Sequence, residues 1–101
     1  MRRGEVWDYK PSHGSSLRLV VLSNDEHNAI GSWPVCAYLG RRRAIEVPHV
    51  VPLAEPDPLS GAVDLTTLGT INPARLSGPV GMLTGSTMSR LNDAVRGFLD
   101  V

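Results

Sequence analysis

Residues 17–28, reading LRLVVLSNDEHN, constrain the chain more than any other stretch. Five apolar residues, Leu17 and those at 19–22, surround Arg18, and the run stops at the polar cluster Ser23-Asn24-Asp25. Too short for a helix and rich in branched side chains, the run predicts a strand buried on both faces, the usual centre of a sheet. Arg18 within it has to reach water, an anion or a carboxylate, because an unpaired buried charge is very costly.

Other elements arrange themselves around that strand. Val6 with Trp7 and Tyr9 alternating against Asp8 predicts a first strand over residues 4–10. Residues 11–16, Pro-Ser-His-Gly-Ser-Ser, form a loop, and residues 25–32 read as a polar connection. A third strand is expected over 34–39, with Pro34 at its start, and Gly40-Arg41-Arg42-Arg43 then turns the chain toward extended segments at 44–47 and 49–53. Pro48 and Pro52 lack an amide proton, which suits an edge strand or a bulge. Beyond a loop at 55–61, a strand is expected over 62–68, then a single helical turn where Asn72 precedes Pro73, then a short strand over 80–83. The one amphipathic helix runs over 86–99, with Ser86 as its cap and Met88, Leu91, Val95 and Phe98 as its apolar stripe. Short strands separated by turns and closed by one helix predict a mainly β fold, a small β-barrel with a covering C-terminal helix.

A length of 101 residues suits one domain with one core. Ten Lys and Arg balance ten Asp and Glu, which excludes a globally basic nucleic-acid binder. The balance is uneven, with seven cations against five anions in residues 1–50 and three against five in 51–101, so a local basic patch is compatible with it. Cys36 is alone, so no disulfide framework or multi-cysteine metal site is available, and it reads as a small buried hydrophobe. Neither a signal peptide nor a run near the ~18 apolar residues of a spanning helix is visible, so a soluble cytoplasmic domain away from membranes is expected.

Taken alone, the residues offer few chemical candidates. Arg41, Arg42 and Arg43 on a turn are either a solvated hairpin tip or a phosphate clamp, since guanidinium forks pair bidentately with phosphate. His13 lies in a loop with Ser15 and Ser16, where a histidine serves as general acid or base, although exposed loop histidines commonly do neither. His27 and His49 are weaker candidates, and no histidine pair has metal-ligand spacing. Trp7 and Trp33 could stack on bases but are more often core or rim residues. No nucleophile elbow, phosphate loop or dinucleotide fingerprint is present.

The order of four motifs resembles a known family. Arg3-Gly4-Glu5-Val6-Trp7 is similar to the opening of the MazF/PemK toxins, and residues 19–25 with Asn28 look like that family's second strand and turn. Val63-Asp64-Leu65 through Thr70-Ile71, then Ala74-Arg75-Leu76, Val80-Gly81-Met82-Leu83 and Met88, resemble its C-terminal half. The resemblance implies an SH3-like small barrel of the MazF/CcdB type. It also implies a homodimer, and the toxin of a type II toxin–antitoxin pair that cuts single-stranded RNA without metal or cofactor by 2′-hydroxyl attack. The implied partner is an antitoxin with an acidic, partly disordered tail.

Two positions depart from the family pattern. Its second strand begins Arg-Pro, whereas ungapped counting from Asn24-Asp25 puts Leu17 at the Arg position and Arg18 at the Pro position. One residue along a strand moves a side chain to the opposite face, so only a bulge or slip near residue 17 would bring Arg18 to the family's orientation. Gly40 stands where a threonine usually ends the third strand. With those positions altered, Arg18 or Arg41 is expected to replace the usual arginine in catalysis with His13 moving protons, and Arg41, Arg42, Arg43, Ser15 and Ser16 are expected to bind RNA. Two other readings of the same fold are a CcdB-like poison of DNA gyrase and a degenerate member that only binds its antitoxin. The chain lacks the Trp-Gly-Ile end with which CcdB engages gyrase, ending instead Phe98-Leu99-Asp100-Val101.

Overall fold

The computed structural model describes residues 1–40 and 49–100. Its strands are β1 (Glu5–Tyr9), β2 (Leu17–Val21), β3 (Val35–Gly40), β4 (Val50–Pro52), β5 (Ala62–Thr70) and β6 (Leu76–Met82), with helices α1 (Asp25–Ala29) and α2 (Gly85–Leu99). The described strands form one antiparallel sheet in the order β4-β5-β3-β2-β1-β6. Leu19, Val20 and Val21 of β2 are each at 0% exposure, so both faces of that strand are covered, as its unbroken apolar run requires.

Register decides what each face carries. Val6 pairs with Val20, and Val20 with Ala37, so these residues share a face with Leu39, Val63 and Leu65. Leu91 of α2, fully buried, packs there with Met88 and Val95. Burying a leucine side chain completely contributes ~1.5–3 kcal/mol. The opposite face holds a smaller cluster of Leu19, Val21 and Cys36 beneath Trp7, Tyr9, Tyr38, Ile71 and Leu76. Burial pushes the Cys36 thiol up to about 12, which keeps it an inert core residue. Trp7 also belongs to this packing, lying against the backbone at Gly78, whereas Trp33 is half exposed.

The mainly β class with a C-terminal helix stands, but the hydrogen-bonded ladder does not close into a barrel among the described residues. β4 and β6 are its two ends. Pro52 in β4 and Pro79 in β6 have no amide proton to give to a seam. Side chains bridge the gap instead: Pro58 and Leu59 of the β4–β5 loop crowd Gly81 of β6.

Three local expectations need correction. The segment at 25–32 contains a helix, α1, capped by Asn24, whose side chain accepts from His27 N at 2.8 Å. Its five residues are too few to show a period. Helix α2 begins at Gly85, and its cap is Thr84 rather than Ser86. The last strand starts at Leu76, well before residue 80. Asn72 does cap a helical turn over Pro73–Arg75. In the predicted stripe of α2, Phe98 stays 44% exposed, tilted against His49.

Most of the motif residues hold the fold. Arg3 donates to the Leu22 carbonyl and to Asn92, tying the N-terminus to α2. Gly4 takes φ +90° with Met88 packed on its Cα side. Ser23 Oγ accepts Val35 N at 3.0 Å, and Asn28 closes the same turn onto Ser23 O.

Asp57 latches the β4–β5 loop to α2. Its carboxylate accepts from Thr84 N at 2.8 Å, from Ala54 N at 3.0 Å and from the Thr87 hydroxyl. Partial burial pushes its pKa up, but these hydrogen bonds together outweigh burial and hold it below the ordinary carboxylate value. A lowered folded-state pKa adds stability above the unfolded carboxylate value, about 3.9, and that stability is lost as pH falls through the folded-state value. Asp57→Asn is therefore expected to melt below wild type at pH 7, with the gap narrowing as pH falls below the ordinary carboxylate value. A gap of constant size across thermal melts from neutral to acid pH would show that the charge is not what the donors hold.

Candidate active site

A cleft of ≈360 Å³ opens where β2 begins and β3 ends. It is lined by Asp8, Ser16, Leu17, Arg18, Leu39, Gly40 and Ser60. Leu17 and Gly40 are the two positions at which the sequence departs from the Arg and Thr of the family pattern. The altered positions thus share one concavity with Arg18.

Arg18 arrives there without a bulge. The β1–β2 register runs unbroken from Val6↔Val20 to Tyr9↔Leu17, so Arg18 keeps the parity of Val20 and faces Asp8 directly across the strands. The alternation places it opposite to Leu17. Because the cleft caps the end of β2, neighbours from both faces of the strand line it. Arg18 Nε donates to Asp8 Oδ1 at 3.4 Å, and the two side chains are 45% and 44% exposed. This is the one Lys/Arg–carboxylate pair among the described residues.

Of the residues singled out from sequence, the structure brings Arg18 and Ser16 together. Ser15 and His13 lie in the same exposed loop but outside the cleft lining. Arg41, Arg42 and Arg43 lie outside the described residues, although Gly40, their immediate predecessor in the chain, forms part of the wall. His27 is occupied elsewhere, its Nε2 donating to Trp33 O at 2.9 Å. Among the described residues no three His, Cys, Asp or Glu side chains gather as a metal site.

Sequence reasoning missed Asp8 and Ser60. The available signal for Asp8 was parity: a carboxylate two residues after Val6 shares its face and meets whatever β2 places opposite. Ser60 carried no local signal, since it reaches the cleft from a loop distant in sequence.

A larger hollow of ≈530 Å³ lies between α2 and the ends of β2, β3 and β5. It is lined in part by Arg3, Leu22, Leu68, Val95 and Arg96. Size does not favour it as the reactive site. Arg3 is engaged in structural hydrogen bonds, and its lining contains neither carboxylate nor imidazole.

Comparison with known proteins identifies the family. A family model described as PemK-like, MazF-like toxin of type II toxin–antitoxin system matches residues 2–99. An endoribonuclease in complex with its cognate antitoxin, from a mycobacterial species, is similar in structure with a TM-score of 0.91 and 26% identity, covering 100% of this chain and 96% of that one. An endoribonuclease from a mycobacterial species gives a TM-score of 0.89 at 25% identity, covering 100% and 92%. A MazE–MazF complex from Deinococcus radiodurans, at 16% identity, has a TM-score of 0.80 over 98% of this chain and 94% of that one, and bears on the fold alone. No functionally curated protein matches the sequence at a significant level.

Proposed function

The chain belongs to the PemK-like, MazF-like toxin family of type II toxin–antitoxin systems, and from that premise we propose that it is an endoribonuclease acting on single-stranded RNA. Residues 1–101 serve as one toxin domain. The reaction is attack of a ribose 2′-hydroxyl on the adjacent phosphate, with the 5′-oxygen as leaving group and no metal. The observation that carries this reading is a guanidinium, Arg18, lining a cleft together with Leu17 and Gly40, the two positions that count onto the family's usual arginine and threonine. Likeness to two mycobacterial endoribonucleases over the whole chain supports it.

Each residue then has a role. Arg18 stabilises charge that develops on the phosphate. His13, on the loop leading into β2, delivers a proton to the departing 5′-oxygen. Ser15 and Ser16 donate to the RNA backbone, and Arg41, Arg42 and Arg43 track its phosphates beyond Gly40. The toxin works as a homodimer in the cytoplasm, restrained by an antitoxin whose acidic disordered tail competes with RNA for the cationic groups. No helix among the described residues is long and apolar enough to cross a membrane.

Incubating the pure protein with single-stranded RNA in chelator is expected to release fragments with 5′-hydroxyl and 2′,3′-cyclic phosphate ends. A substrate carrying a 2′-deoxy sugar at the cut nucleotide should survive. Equal cutting of both substrates, or no cutting of either, would overturn the proposal. Replacing Arg41, Arg42 and Arg43 together by alanine should weaken binding and reduce the slope of log affinity against log salt by about 2, at ~0.7 per single-strand phosphate contact. An unchanged slope would show that these arginines make no phosphate contact.

A further inference from the structure

We infer that Asp8 is the general base of this reaction, taking the proton of the attacking 2′-hydroxyl while Arg18 holds the phosphate; the inference rests on the endoribonuclease reading above. Stability does not account for the pair. Two half-exposed charges in contact contribute only ~0–1 kcal/mol. Their position is nevertheless specific: Asp8 and Arg18 face each other across β1 and β2, on the face that elsewhere buries Val6, Val20, Ala37 and Leu39. Among the described residues they are the only charged ones that line the cleft, the others being Ser16, Leu17, Leu39, Gly40 and Ser60. On the other side of Asp8, its register partner in β6 is the uncharged Ser77.

The contact geometry leaves the reactive atoms available. The pair meets through Arg18 Nε and Asp8 Oδ1 alone. Among the described residues, Arg18 Nη1 and Nη2 and Asp8 Oδ2 have no hydrogen-bond partner. A guanidinium used at Nε still presents its terminal N–H groups to two phosphate oxygens. An unengaged carboxylate oxygen beside that phosphate is where a base must stand to reach a neighbouring ribose hydroxyl.

The step balances. Asp8 Oδ2 takes the proton from the 2′-hydroxyl as the bond from that oxygen to phosphorus forms. Negative charge gathers on the non-bridging oxygens and is met by Arg18. The bond from phosphorus to the 5′-oxygen breaks, and that oxygen leaves with the proton supplied by His13. The products are a 2′,3′-cyclic phosphate and a 5′-hydroxyl, and exchange with water returns the proton from Asp8 to His13.

The test compares wild type, Asp8→Asn and Asp8→Glu in single-turnover cleavage of an RNA oligonucleotide in chelator across a pH series, with binding of the same strand in uncleavable 2′-deoxy form measured alongside. Asp8→Asn is expected to lose about 10²-fold in rate, the lower end for a positioned base because the cleft is open to water. Its rate should no longer fall on the acid side, while it binds the uncleavable strand at least as well, one negative charge having gone. Asp8→Glu should restore part of the rate. If Asp8→Asn cuts at the wild-type rate, the base assignment fails and the endoribonuclease reading stands. If it slows while keeping the acid-side fall, Asp8 only positions Arg18, and the assignment also fails. If wild type cuts no RNA, the underlying reading fails.

Discussion

Replacing Arg18 with alanine is expected to lower RNA cleavage by ~10²–10³, the usual cost of removing one preorganised donor to developing negative charge. The side chain is half exposed and pairs only with Asp8, so the melting temperature should barely move. Arg18→Lys should recover binding better than rate. An ammonium keeps the charge but lacks the planar fork that grips two phosphate oxygens at once. The informative measurement is single-turnover cleavage beside binding of an uncleavable strand. Full activity in Arg18→Ala would remove this residue from the site and shift attention to Arg41, Arg42 and Arg43, the next cations along the chain.

Gly61→Ala is expected to cost about 3 kcal/mol of stability, combining an unfavourable backbone conformation with overpacking. Gly61 sits at φ +131°, where a side chain is strained, and an added Cβ would stand 2.2 Å from the carbonyl oxygen of Gly40. That oxygen belongs to backbone, so no rotamer change relieves the clash. The end of β3 and the start of β5 must separate. A loss of this size lowers the melting temperature of a 60–100-residue domain by roughly 12–24 °C. The same movement displaces Gly40 and Ser60, two walls of the cleft, so cleavage should weaken even at temperatures where the variant is folded. Gly69→Ala is the matched control, because its Cβ would meet nothing nearer than Thr67 O at 3.9 Å and its φ is ordinary. Equal melting of the two variants would show that the Gly40–Gly61 approach is not required.

What could be read in advance follows from how local each signal is. The central strand needed only its own residues, since an apolar run bounded by Ser23-Asn24-Asp25 states both its burial and its end. The turn at Pro73–Arg75 was equally local, with Asn72 as cap and proline at the first position. By contrast, the start of α2 is settled partly by Asp57, which accepts from Thr84 N across the β4–β5 loop. A choice between Thr84 and Ser86 is not decided by helix residues alone. The first half of β6 was hidden by Gly78-Pro79, a pair that ordinarily marks a turn. The seam left open among the described residues has a proline in each of its two strands, and that coincidence appears only when β4 and β6 are known to be the ends.

The site divides in the same way. Arg18 was visible as a charge in an apolar run, and the unbroken β1–β2 register leaves it on the parity of Val20 with no bulge. Its opposite number was not visible. Asp8 meets Arg18 because β1 and β2 pair at one register, and a slip of one residue would have set Asp8 beside Leu17 or Leu19. The cleft itself needs Ser60 from a loop beyond β4, which no motif announces.

The prolines at the two margins of the sheet also bear on behaviour in a crowded cell. An unpaired strand edge is a template on which another chain can grow into an aggregate, and proline there withholds the amide such growth requires. Among the described strands, Pro52 on one rim and Pro79 on the other therefore discourage edge-to-edge joining of one molecule's sheet to the next.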